Sequence, residues 1–142
     1  HLLAMPLGLL IFDRALAGVF APQPTPADYA ARTGVALVLR PRAFRANAQD
    51  VVGLKAFVTA QSRRLEKIAA PTAIVSGDAD AVVLTELHSR ASARAIPGAR
   101  LTILPGVGHS PHHTAPEAVI AAIVDVAERA AAPQPRSESA PR

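Results

Sequence analysis

Two short loops hold the residue types best suited to chemistry: Gly77-Asp78-Ala79-Asp80 and Gly106-Val107-Gly108-His109. A carboxylate and an imidazole that meet in space form a proton-transfer pair, because the carboxylate fixes the imidazole tautomer and stabilises the imidazolium that forms. Asp80 and His109 are 29 residues apart, so the fold must bring them together. The glycines beside them let the backbone turn sharply. His109, His112 and His113 also invite a metal reading, since two imidazoles at i and i+3 around a proline can reach one ion. No carboxylate lies close in sequence to complete that ligand set, and a metal would not account for Gly106, Gly108 or Asp80. Neither a metal nor a cofactor is therefore expected, and His112 and His113 read as loop residues near the mouth of a site.

The elements that must position this pair are strands. Thr72 to Ser76 (TAIVS) is a short β-rich run closed by Gly77, and Arg100 to Leu104 (RLTIL) is another, ended by Pro105 and Gly106. Between them a helix is expected over residues 85–95, with Leu87, Ala91 and Ala95 on one face and Pro97-Gly98 as its stop. Thr114 and Glu117 read as a T-x-x-E capping box for a last helix over about 115–131, with Ile120, Ile123, Val124 and Ala127 on its apolar face. Strand, helix, strand, helix is an α/β pattern with parallel strands, and loops that follow such strands lie at the sheet edge where ligands bind. Two strands do not make a sheet that stands alone.

Upstream the chain reads as helical. Residues 2–20 form an apolar helix broken by Ala21 to Pro26 (APQPTP), since proline supplies no N–H and disfavours helix before it. A short helical turn over 27–32 and the apolar stretch 35–39 follow. Pro41 opens a helix to about Thr59, with Val51, Leu54 and Val58 as a buried stripe, and residues 61–68 add a further helical piece. The tail from Ala132 is rich in Pro, Ser and Arg and reads as disordered.

The run PTAIVSGDADAVV, the helix TELHSRASARAIPGA and the segment RLTILPGVGHSPHHTAPEAV together resemble the closing part of the α/β-hydrolase superfamily. The resemblance covers residues 71–131 in order, spacing and context. It implies a fold class of α/β: the C-terminal portion of an α/β-hydrolase, two parallel core strands with flanking helices, preceded by a helical cap over residues 1–70. It further implies that Asp80 is the triad acid and His109 the general base. Asp80 is preferred to Asp78 because the family's acid stands three residues after the glycine. Helices 2–20 and 41–59 would line or roof an acyl-binding pocket.

The family's nucleophile sits in a Gly-x-Ser-x-Gly elbow, a strained strand-to-helix turn. None of the serines at 62, 76, 89, 92, 110, 137 and 139 has that context, and no Asp here stands in one either. The expectation is a fragment of an esterase-like hydrolase whose nucleophile and missing N-terminal core half lie upstream of His1, inactive by itself. The substrate of the complete protein would be a small ester-like molecule. The alternative is a truncated, non-catalytic interaction module derived from the same fold.

Composition excludes several other classes. Half of the 142 residues are apolar, aromatics are 4% and cysteine is absent, so disulfides and thiolate chemistry are ruled out. A reducing, cytoplasmic setting fits. The pI near 10.6 comes from arginine rather than from a large charge, since the formal net charge is +4. Neither Arg40, Arg42 and Arg45 nor Arg63 and Arg64 are interleaved with aromatics that stack on bases, so no nucleic acid is expected. Leu2 to Phe12 is too short to span a bilayer, which needs about 20 residues, so no membrane is expected.

Overall fold

The computed structural model describes residues 4–132. Residues 2 and 3 of the first expected helix and the tail from 133 onward lie outside them. Helix α1 (Ala4–Phe20) ends at the proline-rich segment, and α2 (Tyr29–Thr33) follows. A 3-10 turn (Val35–Leu39) leads into α3 (Pro41–Ser62). Phe12, Leu16 and Val19 recur on one face of α1 and line an apolar groove with Val35, Leu39 and Phe44. Pro41 stands in the first turn of α3, as its missing donor permits. The expected piece at 61–68 is split: α3 runs on to Ser62, and a 3-10 turn covers Leu65–Lys67.

Strand β1 (Ala73–Gly77) pairs in parallel with β2 (Arg100–Leu104), in a register that sets Ala73 opposite Arg100 and Gly77 opposite Leu104. Between them lies α4 (Ser89–Ala95); α5 (Pro111–Thr114) and α6 (Pro116–Ala131) close the described chain. Among the described residues the sheet has these two strands, and β1 keeps one edge unpaired. Asp125 on α6 bonds Arg100 at the start of β2. Arg129 bonds Asp125 at 2.8 Å and also donates to the Thr72 carbonyl at 3.0 Å. These bonds fasten the last helix to the lower end of both strands.

Several expectations change. Val51, Leu54 and Val58 are not a buried stripe: all three are exposed, and Val58 lines an open groove with Leu65 and Leu87 that leaves it half uncovered. The α4 helix is shorter than expected. Residues 85–88 form turns, because the Thr85 hydroxyl is turned inward to the end of β1 and Leu87 is left exposed. There is no capping box: the Thr114 hydroxyl bonds back to the Ser110 carbonyl at 3.0 Å, and α6 starts at Pro116 with Ala115 before it. On α6 Val119, Ala122 and Val126 turn toward the sheet, and together with Ile123 they line a groove with Ala73 and Val75. Ile120 and Val124 lie outside that groove and are exposed, and Ile123, which lines it, is exposed as well. Arg129 and Asp125 set that rotation, since their bonds to Thr72 and Arg100 fix which side of the helix meets the strands.

The buried apolar core of the described residues is thin: Phe20 is 1% exposed and Ile96 7%. Phe20 sits edge-on to Tyr29, their ring centroids 4.9 Å apart, and His113 of α5 lies 5.2 Å from Tyr29 and 5.7 Å from Phe20. This three-ring contact joins the helical layer to the α/β part. No helix among the described residues is long and apolar enough to cross a membrane.

Candidate active site

Both loops leave the same end of the two parallel strands, because Gly77 and Leu104 are register partners. Backbone bonds then clip the loops together: Asp78 N–H donates to the Leu104 carbonyl at 3.1 Å, and Ala79 N–H to the Val107 carbonyl at 3.0 Å. Glycine is required for this approach. A Cβ on Gly77 would overlap the Val107 carbonyl and lie 2.8 Å from the Gly108 oxygen, and a Cβ on Gly108 would overlap the Ala21 carbonyl. The sharp turn off β2 is left to Gly106, whose φ is +68°.

The structure brings Asp80 and His109 together. Nδ1 of His109 is 3.0 Å from Oδ2 of Asp80. The other carboxylate oxygen, Oδ1, accepts the Val82 and Val83 N–H groups, each at 2.8 Å. Asp80 is thereby held by its own turn, a habit of Asp in loops. Its side chain is 8% exposed, against 34% for His109. Burial acts to raise the Asp80 carboxyl and is the largest influence. The Val83 N–H, His109, the Val82 N–H and the imidazolium charge together outweigh it, so the pKa lies below the usual aspartate value. Asp80 is then ionised at neutral pH and can only accept, so in the neutral imidazole Nδ1 carries the proton and Nε2 the lone pair. Among the described residues Nε2 has no hydrogen-bond partner.

Asp78 does not face the imidazole. Its Oδ1 accepts the Gly106 N–H at 2.6 Å, bracing one loop against the other. His112 and His113 sit on α5, ring centroids 4.3 Å apart. His112 is held below the usual histidine value, first by desolvation and then by the charges of His113 and His109. Among the described residues no group of three or more His, Asp or Glu is placed to hold a metal.

Sequence reasoning missed two supports. The first is a buried hydroxyl chain. Thr85 donates to the Gly77 carbonyl at 2.6 Å, so its oxygen takes the Ser76 proton at 2.9 Å, and Ser89 donates to Ser76 at 2.9 Å. It ties the far end of the Asp80 turn to β1; the one available hint was the clustering of small hydroxyl residues around the strand. The second is Gln23, which donates to the Gly106 carbonyl at 2.6 Å and accepts the Gly108 N–H at 3.0 Å. A contact spanning more than eighty residues leaves no mark in local patterning.

No curated protein matches the chain. The profile of the alpha/beta hydrolase family matches residues 2–122, which takes in the helical segment, both strands and both loops. A match over most of the chain, on a mixed α/β structure with two parallel strands, settles the family: the chain belongs to the alpha/beta hydrolase family.

Proposed function

We propose that Asp80 and His109 are the acid and base of a nucleophile–His–Asp relay for esterase-like hydrolysis of a small molecule. The nucleophile and the rest of the core come from polypeptide outside this sequence. The observation that carries this reading is the 3.0 Å Nδ1···Oδ2 contact with Asp80 Oδ1 already saturated by two N–H groups. Nε2 takes the proton of the attacking hydroxyl as the oxygen bonds the ester carbonyl carbon, and passes it to the departing alcohol. It then takes a proton from water, whose oxygen attacks the acyl-enzyme, and returns it to the nucleophile as the acid leaves. Asp80 stays ionised throughout and stabilises the imidazolium. Helices α1–α3 are the cap in this reading, with the α1 groove facing apolar substrate.

The test is reconstitution. The chain is joined to, or co-expressed with, the segment encoded immediately before it, and p-nitrophenyl ester hydrolysis is followed. The expected result is turnover that His109→Ala removes and Asp80→Asn lowers by several orders of magnitude, because an amide at position 80 favours the wrong imidazole tautomer. Turnover indifferent to His109 would overturn the proposal.

A further inference from the structure

We infer that Gln23 is a positioning residue for His109, holding the histidine loop in place from the helical layer. The inference rests on the proposed relay for its catalytic consequence and on geometry alone for the rest. Gln23 makes two bonds of opposite sense to one stretch of backbone, donating to the Gly106 carbonyl and accepting the Gly108 N–H. Backbone groups cannot exchange roles, so the orientation of the side-chain amide is fixed. The remaining polar groups around them are also engaged: Gly106 N–H by Asp78, Val107 N–H by Leu104 and Val107 carbonyl by Ala79. Asp78 thus grips the loop from the sheet side and Gln23 grips it from the opposite, helical side.

Gln23 is well built to hold. Pro22 and Pro24 flank it, so the segment that presents it has little backbone freedom to lose. Gly108 meets the Ala21 carbonyl with no room for a side chain, so the two segments are in direct contact. The Phe20–Tyr29–His113 contact beside it supplies area but no direction. Gly108 immediately precedes His109, while Asp80 is fixed independently by Val82 and Val83. The alignment of imidazole on carboxylate therefore depends on where residues 106–108 sit, and from the helical side it is Gln23 that fixes this.

The experiment compares Gln23→Ala and Gln23→Glu with the parent in the reconstituted protein. The Glu variant keeps the volume and can accept the Gly108 N–H, but sets an oxygen against the Gly106 carbonyl. Two readouts are taken: the low-field proton resonance of the His109 Nδ1–H, and kcat and KM for the ester. The expected result is loss of the low-field signal in Gln23→Ala, with kcat down by about tenfold to a hundredfold, the scale of a misplaced catalytic group. KM should be nearly unchanged, because no substrate contact is removed. Gln23→Glu should lie between. A retained signal with unaltered kcat in both variants overturns the inference, as does a fall in kcat with the signal intact. Should Gln23→Ala fail to fold, the isosteric Glu variant decides. Failure of the relay itself is read separately, as activity that survives His109→Ala, while the resonance still reports on Gln23.

Discussion

Gly77→Ala adds one methyl group at the point where the two site loops touch. The new Cβ would meet the backbone of Val107 and Gly108 rather than the tip of a flexible side chain, so one loop must retreat. Overpacking of this kind costs about 1–3 kcal/mol. Retreat of Val107 also breaks the Ala79 N–H bond to its carbonyl, which adds roughly 1 kcal/mol. The sum is about 2–4 kcal/mol, or about 1–2 M off a urea midpoint at a typical slope. Gly53→Ala is the matched control. It adds the same methyl group within α3 with nothing within 4 Å, and should stabilise by up to about 1 kcal/mol through helix propensity. Urea titrations followed by far-UV circular dichroism, at one protein concentration, should show midpoints moving in opposite directions. If Gly77→Ala kept the parent midpoint, the tight apposition of the loops would not be a real constraint and the account of the site's assembly would fail.

Three further outcomes are expected. The folded carboxyl of Asp80 titrates below its unfolded value, so its contribution is complete above about pH 4 and is lost as the pH falls through the folded pKa; acid titrations of the parent should be steeper there than those of Asp80→Asn. The exposed Val51, Leu54 and Phe57 of α3, with the open edge of β1, should drive self-association, and a monodisperse monomer by size-exclusion chromatography with light scattering would count against that. The purified 142-residue chain should hydrolyse p-nitrophenyl esters no faster than its His109→Ala variant, since none of its serines stands in a nucleophile elbow; a His109-dependent rate would reveal a nucleophile that the sequence hides.

The strands and their loops were legible because their signals are local. TAIVS and RLTIL are β-rich runs closed by glycine or proline, and the parallel register then puts Asp80 beside His109. Helix faces were harder, because periodicity marks an apolar stripe without saying what covers it. Val51, Leu54 and Val58 have the right spacing and lie exposed, while two polar residues of α6, Asp125 and Arg129, set the rotation that its apolar residues were expected to set. The T-x-x-E signal failed because Thr114 closes α5, which leaves Ala115 and not Thr114 at the N-cap of α6. Gln23 was invisible for a different reason: its partners are distant in sequence and are main-chain atoms, which carry no residue identity.

That separation has a consequence in time. Closing a contact across 83 and 85 residues costs more chain entropy than any turn or helix in the molecule, and such contacts form after the local ones that reward them sooner. Gln23 leaves the ribosome long before Gly106, so the proline-flanked segment must wait, with its amide bonded to water, until the histidine loop has been made and folded onto β1. The pairing at 3.0 Å between His109 and Asp80 can close within the strand–helix–strand unit, but its final alignment comes only when the Gln23 segment and the histidine loop have met. A chain that ended between Asp80 and Gly106 would carry the carboxylate, β1 and the waiting glutamine, but neither the imidazole nor the backbone that Gln23 grips.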